Sequence, residues 1–142
     1  MISKWEMLME KEQISEILAD MLMAYTSPGL GRAAVKKAAA KIATTEISDS
    51  AEIKGENAFE AVRDAFSQCG TVLGTSGDKM LCGVILSGAA AMNPCYFIIT
   101  AEGNRAEIRA YAKEGLIKQH TAEKAVKALK EAIDNIGTRI VE

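Results

Sequence analysis

Aromatic residues are scarce in this chain of 142 residues: three Phe, three Tyr and one Trp, 5% in all. A core made from it must rely on Ala, Ile, Leu, Val and Met. The hydrophobic share of 49% is ordinary for a globular protein and sufficient for one domain of common size. There is no surplus of charge of either sign, with 17 basic and 19 acidic side chains and a formal charge of -2. That balance argues against a dedicated polyanion binder, because holding phosphates requires a basic excess on some face. No nucleic-acid partner is expected. No apolar run approaches the ~18 residues of a spanning helix. The longest, Val84 to Met92, is interrupted by Ser87 and Gly88. The first residues carry Glu6 and Glu10 where a secretory peptide has an unbroken apolar stretch. A cytoplasmic protein is the expectation.

Cysteine is also sparse. Cys69, Cys82 and Cys95 stand thirteen residues apart, without the close pair that preorganises a zinc knuckle. No metal and no cofactor is expected. An odd count without a secretory peptide reads as reduced thiols. The commonest role of such cysteines is as small buried hydrophobes. Cys95, beside Pro94 at a loop edge, is the candidate for an exposed reactive thiol. His120 is the single histidine. A thiol enzyme would need it within hydrogen-bond reach of a cysteine; otherwise it belongs to the approach to the last helix. The stretch Gly70-Thr-Val-Leu-Gly74-Thr-Ser-Gly77-Asp-Lys79 fails as a phosphate loop in both spacing and context.

What is present is pattern. Trp5, Leu8, Met9, Ile14, Ile17, Leu18, Met21, Leu22 and Tyr25 recur at helical steps over residues 4–25, with Glu and Asp between them. Ser27-Pro28-Gly29 punctuates the chain. A second helix is expected over 30–43, with Leu30, Ala34, Ala38 and Ile42 on one side and Arg32, Lys36, Lys37 and Lys41 on the other. Residues 1–45 thus read as a helical hairpin, part of the domain or a lid on it, and 46–142 as an α+β domain. Ile47 and Ile53 suggest a short first strand. Asn57 and Glu60 have capping-box spacing ahead of Phe59, Val62, Ala65 and Phe66, and Gly70 is the expected stop.

Four strands are expected next, over 71–75, 80–87, 95–102 and 105–113, with turns at Ser76-Gly77-Asp78-Lys79, Asn93-Pro94 and Gly103-Asn104. The two-residue turn fixes the last hairpin: Ile99 opposite Ile108, Tyr96 opposite Tyr111. Phe97, Ile99, Ala101, Ala106, Ile108 and Ala110 then share a buried face. Tyr96, Ile98, Thr100, Arg109 and Tyr111 lie on the other, mostly wet face and form the candidate binding patch, tyrosine being favoured at interfaces. Alternatively the N-terminal helices pack there. A last helix is expected from Thr121, lined by Ala122, Ala125, Val126, Leu129, Ile133 and Ile136 and ended by Gly137.

The predicted fold is α+β: an N-terminal helical hairpin, then a β-α-β4-α antiparallel meander with two helices on one sheet face. In element order, residues 46–136 resemble the TATA-box-binding-protein-like and helix-grip folds, in which a curved antiparallel sheet grasps a long C-terminal helix. The helix-grip resemblance implies a small hydrophobic-ligand or lipid carrier. Against a roomy pocket stand the small Ala122, Ala125, Ala128 and Ala132. The strand Met80–Leu86 is apolar on both sides. Its second face needs a cover, from the N-terminal hairpin or from another subunit, so a homodimer is expected if the hairpin does not serve. Three function classes follow: a non-catalytic binding or oligomerisation module, favoured because catalytic groups are sparse; a hydrophobic-ligand carrier; and a thiol enzyme using a cysteine and His120.

Overall fold

The Gly103-Asn104 turn joins two strands in the register set by alternation. In a computed structural model, which describes residues 13–19, 44–53, 57–87, 93–113 and 120–141, Ile99 faces Ile108 and Tyr96 faces Tyr111. These strands are β4 (Asn93–Glu102) and β5 (Arg105–Lys113). Pro94 stands inside the start of β4 and not in a turn. It is the second residue of the strand, where a missing N–H costs least. β3 (Met80–Ser87) pairs with β4, and β2 (Thr71–Ser76) pairs with β3. β1 (Thr44–Glu52) returns to the far edge and pairs with β5 over its whole length. The sheet is antiparallel, in the order β1-β5-β4-β3-β2. The Ile53 N–H donates to Asn104 O at 2.6 Å and ties the exit of β1 to the hairpin turn.

Among the described residues there are three helices. A first, α1, covers residues 13–19. The second is α2 (Ala58–Cys69) and the third α3 (Thr121–Val141). α2 begins as the capping spacing requires: Asn57 Oδ1 accepts from the Glu60 N–H at 3.2 Å, and Asn57 Nδ2 donates to Glu60 Oε2 at 3.2 Å. It ends on Gly70, whose N–H donates to Phe66 O, but the backbone there is extended and not left-handed. The glycine is required for space. A Cβ at residue 70 would overlap Val84 O and lie 2.8 Å from Ile85 Cγ1. α3 continues past Gly137 to Val141. A lone glycine costs a helix about 1 kcal/mol and does not by itself end it. The cap of α3 is His120 and not Thr121: His120 O accepts from the Lys124 N–H.

α2 and α3 lie together on one face of the sheet. Phe59, Val62, Phe66, Ala125, Leu129 and Ile133 are buried there against Leu81, Ile85, Phe97, Ile99 and Ile108. Phe66 meets Phe97 edge-on, with ring centroids 5.4 Å apart. Each such ring or aliphatic chain, fully buried, contributes about 1.5–3 kcal/mol of hydrophobic stabilisation. The buried part of this first face is dominated by aliphatic and aromatic side chains, with Asp49 at its β1 edge paired to Lys130 of α3. The second face of β3, β4 and β5 has its own cluster: Cys82, Val84, Tyr96, Ile98 and Tyr111, packed with Ile14 and Leu18 of α1. On the apolar second side of β3, Cys82 and Val84 are thus covered by α1, whereas Leu86 remains exposed. The helix expected over 30–43, with its basic side chains, lies outside the described residues, as does the rest of the pattern over 4–25.

Candidate functional site

The two faces differ in kind. Alternation along β5 puts Arg109, Tyr111 and Lys113 on the second face, and alternation along β4 and β3 adds Tyr96, Ile98, Cys82 and Val84. β1 brings Glu46 opposite Tyr111. The Tyr111 hydroxyl donates to Glu46 Oε1 at 3.0 Å and also hydrogen-bonds with Arg109. Tyr96 and Cys82 share a hydrogen bond in the fully buried centre. Lys113 is only 3% exposed, and its Nζ donates to Ser15 Oγ of α1 at 2.8 Å.

Burial governs the titration of these groups. It pushes both tyrosines and the Cys82 thiol upward. The bond to Cys82 adds to the effect on Tyr96, and that to Glu46 on Tyr111. Burial pulls Lys113 downward. The phenols and the thiol therefore remain protonated near neutral pH. Such groups recognise by shape and hydrogen bonding; they are not activated nucleophiles.

Of the residues marked out by sequence, Tyr96, Ile98 and Tyr111 meet in one cluster, with Arg109 bonded to Tyr111. Their face is not mostly wet, because α1 covers this end of it. Glu102, Arg105 and Glu107, nearer the turn, are exposed. Thr100 is half-buried and stands outside the cluster. Pattern reading missed Ser15, Glu46, Cys82 and Lys113 as members. The Ser15–Lys113 contact spans 98 residues, which no local period encodes.

Cys95 is a correction. It is fully buried on the first face, in the core with Ala112 and Ala110, and not at an exposed loop edge. Pro94 and Cys95 continue β4, so alternation turns the thiol inward. Cys69 is half-buried; its Sγ donates to Ala128 O at 3.7 Å, and burial raises its pKa. His120 is exposed, in a left-handed backbone conformation with φ 54°, and its Nδ1 lies 3.3 Å from Glu123 Oε2. That is the geometry of a capping-region histidine. Ala122, Ala125 and Ala132 are buried against the sheet as expected, but Ala128 is exposed.

A surface groove of about 370 Å³ runs between β1 and α3, lined by Ile47, Asp49, Val126, Lys127, Lys130 and Glu131 among others. The Lys130–Asp49 pair crosses it at 3.2 Å. Its walls carry both signs of charge and none of the second-face cluster. Among the described residues, no group of three His, Cys, Asp or Glu side chains is arranged to hold a metal ion. No described helix is long and apolar enough to cross a membrane.

No protein-family model matches this sequence, and no curated protein matches it.

Proposed function

We propose that this chain is a non-catalytic binding module that docks a protein partner on the β3–β4–β5 face beneath α1. One observation carries the reading. The first face is closed by two helices over a core of Ala, Ile, Leu, Val and Phe with Cys95, whereas the second face buries Tyr96, Tyr111, Cys82 and Lys113, with Arg109 beside them. Tyr and Arg over an apolar floor, each with a polar handle, are the composition of an interface and not of a core.

The test is a display selection for small protein binders against the full chain, with an Arg109→Glu variant as counter-target. Binders are expected that lose at least tenfold in affinity on Arg109→Glu and none on Lys124→Glu, an exposed position on α3. A selection that yields none, or binders indifferent to Arg109→Glu, overturns the reading. The melting temperature of both variants shows that the fold is kept.

A second copy of the chain is a partner of the same kind. Leu73 and Leu86 are exposed large apolar side chains, 40% and 37%, and both belong to the β2–β3 end of the sheet. Light scattering is expected to show a concentration-dependent dimer that Leu73→Asp removes; a monomer at every concentration ends that part. By element order we group the domain with the TATA-box-binding-protein-like and helix-grip folds. The carrier role of helix-grip proteins has less support, because alanines fill the space between sheet and α3.

A further inference from the structure

We infer that the outer edge of β1 is a docking surface in its own right, which takes an extended segment of a partner protein carrying Lys or Arg at alternate positions and adds it, antiparallel, to the sheet. The inference goes beyond the binding reading above: it concerns the edge of the sheet and not the face beneath α1.

β1 ends the sheet on one side, and among the described residues no strand pairs with its outer edge. One bond fixes which backbone groups point outward. The Ile53 N–H donates to Asn104 O, and that pair continues the β1–β5 register. In an antiparallel ladder, hydrogen-bonded pairs alternate with pairs that are not bonded. Thr45, Ile47, Asp49 and Ala51 therefore bond to β5, whereas Thr44, Glu46, Ser48, Ser50 and Glu52 turn their N–H and C=O outward. Ser50 agrees, since its N–H donates to Asp49 Oδ1 at 2.8 Å. A carboxylate of the same chain thus stands where the carbonyl of an added strand would accept.

Edges that stay unpaired are blunted by Pro, Lys, a bulge or short length. β2, at the other edge, has six residues and a register shift between Val72 and Gly74. β1 runs nine residues in unbroken register and contains no Pro, Lys or Arg. Its charges are Glu46, Asp49 and Glu52, all exposed. They set the occupant. A second copy would bring two such sets of carboxylates together, whereas a basic strand places its cations opposite Glu46 and Glu52. Those positions lie on the second side of the sheet. On the first side, between β1 and α3, is the groove whose apolar lining is Ile47 and Val126. Small apolar side chains suit it, because its walls carry Lys127 and Lys130 as well as Glu123 and Glu131. Main-chain bonds then give affinity, and the places for alternate side chains give specificity.

Amide hydrogen exchange on the full chain tests the edge itself. The amides of Glu46, Ser48 and Glu52 are expected to exchange at least tenfold faster than those of Ile47, Asp49 and Ala51. Equal protection overturns the inference, because the chain then covers its own edge. The probe is a blocked nine-residue peptide that alternates Lys and Val and begins and ends on Lys. It is expected to slow exchange at Glu46, Ser48 and Glu52; a peptide that protects β2 instead overturns the inference. Replacing its Lys by Glu is expected to weaken binding at least tenfold. Opposite an outward-turned residue, each Lys of an antiparallel strand points its own N–H at β1. A peptide N-methylated at each Lys is therefore expected to bind at least tenfold more weakly than one N-methylated at each Val. Equal affinity of those two, equal affinity of the Lys and Glu peptides, or no binding at all overturns the inference. So does protection of the three amides that grows with the concentration of the chain alone, since the occupant is then a second copy. Binders selected on the second face report separately through Arg109→Glu, so failure at the edge leaves that reading standing.

Discussion

Phe66 rests on Gly83, and this contact sets how closely α2 approaches the sheet. A methyl group at Gly83 would overlap the Phe66 ring edge and come within 2.7 Å of Thr71 O. Phe66 is fully buried and braced by Phe97, so neither ring has room to give way. Gly83→Ala is therefore expected to cost about 1–3 kcal/mol, the usual penalty of overpacking a closed core. Urea unfolding measures it, and a loss below about 0.5 kcal/mol would mean that α2 simply lifts. Neither this glycine nor Gly70 announces its reason in the sequence. Gly70 resembles a left-handed helix stop, yet its backbone is extended and its constraint is Val84, on a different element further down the chain. A residue's local signal can thus be right about where an element ends and silent about why.

Elements whose causes are local were legible. The last hairpin has the register that its two-residue turn and alternation dictate, down to Tyr96 opposite Tyr111. α2 starts on Asn57 with both capping contacts to Glu60 formed. Asn57→Ala should then cost about 1 kcal/mol, the typical value of an N-cap, and should raise amide exchange in the first turn of α2 before the rest. Unchanged exchange at Ala58–Ala61 would show that the cap is idle. What remained hidden depends on contacts between distant segments. Pattern left the second face as mostly wet, because Tyr96, Arg109 and Tyr111 alternate with core residues and carry polar ends. Only the arrival of α1 buries the two tyrosines, with Arg109 half-buried beside them, and that segment is far away in the chain. Cys95 was misplaced for a smaller reason: Pro94 reads as a turn residue, but β4 absorbs it at its second position and turns the thiol inward. The candidate site was therefore half visible, in its tyrosines and arginine, and half not, in Cys82, Lys113, Glu46 and Ser15.

For the whole molecule, the uneven burial of polar groups on the two faces sets its response to alkali. Tyr96, Tyr111, Cys82 and Cys69 all have raised pKa values, chiefly through burial. In the unfolded chain the thiols ionise near ~8.5 and the phenols near ~10. Above those values the unfolded state has released protons that the folded state still holds, so stability falls as pH rises. Lys113 acts in the opposite sense. Burial lowers its folded pKa, so below ~10.4 the unfolded lysine holds a proton that the folded one gives up more readily, and stability rises with pH through that window. Among the described residues, four such groups stand against one, which predicts a net loss of stability between about pH 8.5 and 11, measurable as a falling urea midpoint. Tyr96→Phe should make the slope above pH 10 shallower by up to about 1.4 kcal/mol per pH unit, the weight of one proton. Lys113→Met should make the limb below ~10.4 steeper, because the opposing proton is gone. Of these groups only Cys69 belongs to the α2–α3 side, through its bond to Ala128. Cys69→Ser should therefore leave most of the alkaline limb in place. A limb that vanishes with Cys69 alone, or one that Tyr96→Phe does not change, would mean that α1 does not keep the second face dry and that the tyrosines titrate as exposed phenols.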